Sequence, residues 1–265
     1  GSEIVLEAMR QHAGHAGVQE AGCKALWILA LDSKNKITVA AEGGIEVVLG
    51  AMRQHAEHAA VQAARCESLW SLALDSVNAV RIAAHAGIWL VLVAMRQHAR
   101  HADVQEAWCS ALGRLALYED NEVKIAAEGG SEIVLEAMRQ HAGHAGVQEA
   151  GCKALWILAL DSKNKITVAA EGGIEVVLGA MRQHAEHAAV QAARCESLWS
   201  LALDSVNAVR IAAHAGIWLV LVAMRQHARH ADVQEAWCSA LGRLALYEDN
   251  EVKIAAEGGS EIVLE

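Results

Sequence analysis

The feature that most restricts this chain is that it repeats itself. Residues 131–259 restate residues 2–130 without a single change. Inside each block a second period of 43 residues runs through units 2–44, 45–87 and 88–130, then 131–173, 174–216 and 217–259. Residues 260–265 (SEIVLE) begin a further copy. About half the positions agree in all three units of a block: the AMRQHAxHA core, a Val-Gln pair, one Cys, spaced Leu and Ala, one Asn and a final Gly. A period in this range is the signature of a solenoid. One such unit cannot bury its own apolar face, so the core forms only when neighbours stack.

The residues within a unit are helix formers. The chain has no proline, where average usage near 5% would supply about a dozen. The commonest helix breaker is therefore missing. Ala, Leu, Glu, Lys, Gln, Arg and Met dominate. In the second unit, Val47, Val48, Ala51 and Met52 form a helical stripe from Ile45 to about His55. After the connection HAEHA, Val61 to Leu74 reads as the longest helix, with Val61, Ala64, Leu69, Leu72 and Ala73 inward. Asp75 or Ser76 can cap a third, short helix carrying Val80, Ile82 and Ala83. Gly87 is expected to stop it.

The segment NAVRIAAHAGIWLVLVAMRQH (Asn78–His98) resembles the armadillo pattern of a short first helix, Ala-Gly, and a second helix ending in a polar loop. CESLWSLAL resembles the end of an armadillo third helix. HEAT repeats, the alternative, usually have two helices per unit, and IAAHAG favours three. The resemblance covers nearly the whole chain. It implies an all-α right-handed superhelix, one armadillo-type solenoid of six three-helix repeats over residues 1–265. Peptide-binding armadillo proteins carry an Asn late in the third helix that holds an extended peptide backbone. That slot holds Ile28, Ser71 and Arg114 here, then Ile157, Ser200 and Arg243. The ladder is missing, and peptide binding of that kind is in question.

Two blocks identical over 129 residues imply recent duplication or deliberate building. Ser131 stands where Ile45 and Ile88 begin the other units, and Gly-Ser recurs at 1–2, 130–131 and 259–260. This is a footprint of ligated cassettes. If buried, Ser for Ile at the seam forfeits on the order of 1–3 kcal/mol.

Net charge is −10, which argues against nucleic acid or an anionic membrane as partner. No apolar run of 18 or more residues and no basic-then-apolar leader is present. No Ser-His-Asp spacing, phosphate loop or paired carboxylates suggests catalysis, so no enzyme and no cofactor are expected.

Three sets of residues merit comparison with a plain structural role. The pairs His12/His15, His55/His58 and His98/His101, with their copies, have metal-capable spacing. No third ligand recurs with them, so a polar loop at a helix C-terminus is favoured. Cys23, Cys66, Cys109, Cys152, Cys195 and Cys238 share one helical position. Helices 8–10 Å apart cannot bring such thiols within the roughly 7 Å a disulfide needs. Buried thiols suit a reducing cytosol or recombinant expression.

The third set is the variable side of the long helix: Glu20, Lys24, Trp27 and Ile28; Ala63, Glu67, Trp70 and Ser71; Glu106, Ser110, Gly113 and Arg114. The copy repeats it as Glu149, Lys153, Trp156 and Ile157; Glu196, Trp199 and Ser200; Glu235, Ser239 and Arg243. In armadillo proteins this side lines the concave groove, and exposed Trp and Arg are frequent hot spots. Trp89 and Trp108 are expected inside repeat interfaces. The sequence starts at a second helix and stops one turn into another, so head-to-tail self-association is the expected partnership, beside a protein or peptide in the groove. The functional expectation is a non-catalytic, artificially duplicated scaffold, or else a protein-binding module.

Overall fold

The computed structural model describes residues 1–258; the start of a further copy at 260–265 lies outside them. The described residues are helical and contain no strand. They divide into two compact units, with the boundary between Ile133 and Val134.

The first unit holds α1 (Ser2–Gln11), α2 (Ala16–Leu29), α3 (Ser33–Ala41), α4 (Gly44–Gln54), α5 (Ala59–Leu72), α6 (Ser76–Ala84), α7 (Gly87–Gln97), α8 (Ala102–Ala116) and α9 (Glu119–Ala127). These are three layers of three helices. Following armadillo order, α3, α6 and α9 are the short first helices, α1, α4 and α7 the second, and α2, α5 and α8 the third. Third helices pack side by side, α2 on α5 and α5 on α8. The inward residues expected in the second repeat, Val61, Ala64, Leu69, Leu72 and Ala73, are all buried.

The positions shared by every repeat turn out to carry its polar joints. Gln62 Nε2 donates to the carbonyls of Met52 and His55, both at 3.1 Å, closing the turn between α4 and α5. His55 is buried, and its Nε2 donates to the carbonyl of Ala13 in the repeat before, at 2.6 Å. Asn78 and Asn121 each donate to a carbonyl of the preceding short helix, Lys36 and Ala79, at 3.2 Å. Asp75 caps α6 by accepting from the Asn78 backbone N–H. Buried polar groups must find partners, and these partners lie 42 residues away. Each such bond ties one repeat to the next.

The glycine closing each unit does not stop the short helix as expected. The left-handed residue comes one earlier: Gly43 at φ 84°, Ala86 at φ 60° and Gly129 at φ 76°. The final glycine instead permits close approach. A Cβ on Gly87 would sit 2.5 Å from Ile82 Cγ2 and 2.6 Å from the Ile82 carbonyl oxygen. That approach lets α6 meet α7 at 71°.

The second unit repeats this order with α10 (Gly130–Gln140), α11 (Ala145–Leu158), α12 (Ser162–Ala170), α13 (Gly173–Gln183), α14 (Ala188–Leu201), α15 (Ser205–Ala213), α16 (Gly216–Gln226), α17 (Ala231–Leu244) and α18 (Glu248–Ala256). Its joints recur: His184 on Ala142, His227 on Ala185, Asn207 on Lys165. Ser131 is buried. Among the described residues no single helix is long and apolar enough to cross a membrane.

Candidate partner-binding groove

Because α2, α5 and α8 pack side by side, several of their variable residues come together. On α2, Lys24 Nζ bonds Glu20 Oε1 at 2.7 Å, and this pairing raises the lysine's affinity for its proton. Burial raises the Glu67 carboxyl on α5, and the charge of Lys24 across the helix pair partly offsets it. Trp27 and Trp70 are half-buried. The Arg114 guanidinium of α8 lies over the Trp70 ring, 5.7 Å from its centroid, a cation–π contact between consecutive repeats. Glu106 and Ser110 are half-buried beside it. Ile28, in the slot of the missing Asn, is 61% exposed.

Ser71 departs from the expected face. It is buried, and its hydroxyl donates back to the Ser68 carbonyl at 3.0 Å. A serine can satisfy itself this way within a helix, and Ser200 does the same. Gly113 is likewise buried.

In the second unit, Lys153 pairs with Glu149 at 2.7 Å, Trp156 and Trp199 are half-buried, and burial raises the Glu196 carboxyl. Ile157 is buried, whereas Glu235 and Ser239 are exposed. Arg243 uses Nε and Nη2 to bond the carbonyls of Ala202 and Leu203, both at 3.2 Å, at the C-terminal end of α14.

The histidine pairs, metal-capable by spacing, divide instead into two structural tasks. The first members His55 and His98 are buried, and each commits Nε2 to a carbonyl of the preceding repeat. His12 is exposed, and its carbonyl accepts from Gln19 Nε2 at 3.1 Å. The second members His15, His58 and His101 are exposed and stand at the N-caps of α2, α5 and α8. His15 Nδ1 accepts from the Val18 N–H at 3.2 Å. His58 and His101 make no such capping bond. Their rings lie 5.8 Å from His55 and 5.7 Å from His98, inclined at 56° and 61°. These pairs therefore meet as ring against ring, with one nitrogen of the inner ring already spent on the backbone. Among the described residues no three His, Cys, Asp or Glu side chains come together as a metal site.

No cysteine is in a disulfide. Five are buried and Cys238 is exposed, against expectation. Cys66 on α5 faces α8, but among the described residues no third helix follows α17 to cover Cys238. Trp108 fills the core as expected, whereas Trp89 is 53% exposed. Ile88, Val91, Leu92 and Met95 take the inward side of α7. Trp89 and Val93 instead line an open cleft against Met52, Arg53 and Ala56 of the preceding repeat, so Trp89 borders the repeat interface without being buried in it.

Sequence reading gave no role to Arg65 on α5, which is fully buried with none of its three guanidinium nitrogens hydrogen-bonded. The Cys23 thiol lies beside it without hydrogen-bonding geometry. Desolvation lowers this arginine to about 10 and raises the Cys23 thiol to about 11. Comparing the slot across repeats (Gly22, Arg65, Trp108) was the available signal.

The model of the LRRK2 ARM repeat family matches residues 2–201. The chain belongs to this armadillo family. Among solved structures, an engineered protein from the Northeast Structural Genomics Consortium has a TM-score of 0.80 at 17% identity, covering 92% of this chain and 96% of that one. A structure concerned with a phosphorylation switch in the interaction between cadherin and beta-catenin has a TM-score of 0.58 at 14% identity, covering 99% of this chain and 56% of that one. At these identities the likeness is one of fold. No curated protein matches the sequence.

Proposed function

We propose that this armadillo chain is a non-catalytic repeat scaffold, duplicated by design, whose third-helix face holds a protein or peptide segment. The single observation behind the binding reading is the row Trp27, Trp70 and Arg114. These side chains stand half-buried on consecutive third helices, at positions that vary while the inter-repeat joints do not. Rigid aromatics and an arginine present large contact area at little entropic cost. Without the Asn ladder, a partner would be held through these side chains rather than by its backbone. The beta-catenin neighbour, which interacts with cadherin, supports a protein as partner. The design reading is supported by the exact 129-residue duplication and its Gly-Ser seams.

The test is selection of binders from a displayed random-peptide library, followed by titration against W27A/W70A/W156A/W199A. Loss of about tenfold or more in affinity, the scale of a hot-spot residue, supports the groove. Binders indifferent to all four substitutions would overturn it.

A further inference from the structure

The short first helices carry a second row of variable residues, separate from the groove. Asn78 bonding Lys36, Arg81 bonding the Ala40 carbonyl at 3.2 Å, and Asn121 bonding Ala79 set α3, α6 and α9 side by side. On their outer faces the same helical position holds Ile37, Val80 and Val123, which are 56%, 46% and 60% exposed. Three residues earlier, one turn away, stand Lys34, Val77 and Asp120, also exposed. Exposed alanines complete the face one turn on, at 41, 84 and 127.

The row therefore runs from basic to neutral to acidic over an apolar floor. Helix α3 carries Lys34 and Lys36 and no acid; α9 carries Glu119, Asp120 and Glu122 against one base, Lys124. Arg81 of α6 is occupied by Glu46 at 3.1 Å, and the capping carboxylates Asp32 and Asp75 accept from backbone N–H groups. The second unit repeats the pattern with Lys163, Val206 and Asp249 over Ile166, Val209 and Val252.

Such a row is complementary to itself turned end for end. A two-fold axis through the middle helix would set Val77 and Val80 against the partner's Val77 and Val80. Lys34 would meet the partner's Asp120, and Asp120 the partner's Lys34, as an isologous contact requires. We propose that the short-helix face is a self-association surface whose occupant is the antiparallel face of a second copy of this chain. Three nine-residue helices, each about 13 Å long and roughly 10 Å apart, offer a footprint of about 300 Å² per partner. That is small for a stable complex, so weak, concentration-dependent association is expected.

Two charge-swapped full-length chains test this, K34E/K163E and D120K/D249K, by sedimentation from about 10 µM to about 1 mM, the range in which weak complexes dissociate. All the changed side chains are exposed, and circular dichroism verifies the fold. The parent chain is expected to associate, less so at high salt. Each swapped chain alone faces like charge and is expected to be monomeric. An equimolar mixture restores both pairings and is expected to associate again. V80D/V209D is expected to abolish association in every combination. A parent chain that stays monomeric, a mixture that does not associate, or association that survives V80D/V209D would overturn the proposal. Binding of a monomeric parent to lipid vesicles, or to an unrelated protein through this face, would also overturn it.

Discussion

Gly22 and Arg65 occupy the same slot of the third helix in consecutive repeats, with opposite consequences. At Gly22 there is no room: a Cβ would lie 2.5 Å from both Cγ and Sδ of Met9. At Arg65 a whole guanidinium is accommodated, fully buried and without a hydrogen bond. In the third repeat the slot holds Trp108, also buried. Repeats that share their joints therefore do not share their cores, and one layer cannot replace another. The Gly layer admits no side chain, whereas the Arg layer carries a buried charge beside a thiol that lacks hydrogen-bonding geometry to it, a costly feature in a core.

The sharpest way to break this contrast is to remove the charge. R65M/R194M is expected to raise the unfolding free energy by about 1–4 kcal/mol per site, the range seen when buried ions give way to apolar side chains. Urea denaturation checks it, and an unchanged or lowered midpoint would mean the guanidinium is paired in solution. Alkaline titration sharpens the same contrast. Cys23 and Cys152 are raised from 9.0 to about 11 by burial. Their stabilising contribution is complete below pH 9, where both folded and unfolded thiols are protonated. It is lost as pH rises through about 11, at roughly 3 kcal/mol per site. Arg65 and Arg194, lowered by burial from the usual arginine range to about 10, act in the opposite sense: their penalty is complete below about pH 10 and fades above it. C23A/C152A is thus expected to flatten the fall between pH 9 and 11, and a fall of unchanged size would assign it to other groups.

Filling the empty slot is the next test. G22A/G151A forces Met9 and Met138 aside and is expected to cost about 1–3 kcal/mol per site, measured by thermal unfolding. The smallest effect concerns the backbone. Ala86 and Ala215 hold φ near 60° where Gly43 and Gly172 stand in the neighbouring repeats. A86G/A215G is expected to gain up to about 1 kcal/mol per site by relieving left-handed strain, and any loss would show that the unfolded-state entropy of glycine dominates.

The fold was legible because its signals are periodic. The 43-residue spacing, the Leu and Ala stripes and the Asp75 cap all have local causes, and six repeats in register reinforce them. The groove was legible as a row, since two adjacent positions of the third helix, Trp27/Trp70/Gly113 and Ile28/Ser71/Arg114, vary from repeat to repeat. It was not legible that Ser71 turns inward, because a serine's choice between solvent and the i−3 carbonyl depends on the helix beside it. The histidine pairs were legible as a polar loop but not as inter-repeat joints. Their spacing is local, but His55 and His98 turn to a carbonyl one repeat back and leave His58 and His101 outside. Trp89 was misplaced for a related reason: its side of α7 follows from which neighbours Ile88 and Val91 meet. The acid–base gradient of the short helices was present in the letters Lys34, Val77 and Asp120, but it becomes a surface only once Asn78 and Asn121 set those helices side by side.

The sequence by itself determined the helical class, the repeat length and which positions every repeat shares, because periodicity and capping are written in the residues themselves. The tertiary structure alone decided that Arg65 is buried beside Cys23, that the residue before each final glycine makes the turn, and which face each variable residue presents. These outcomes depend on contacts between residues about one repeat apart, and no local rule carries that far.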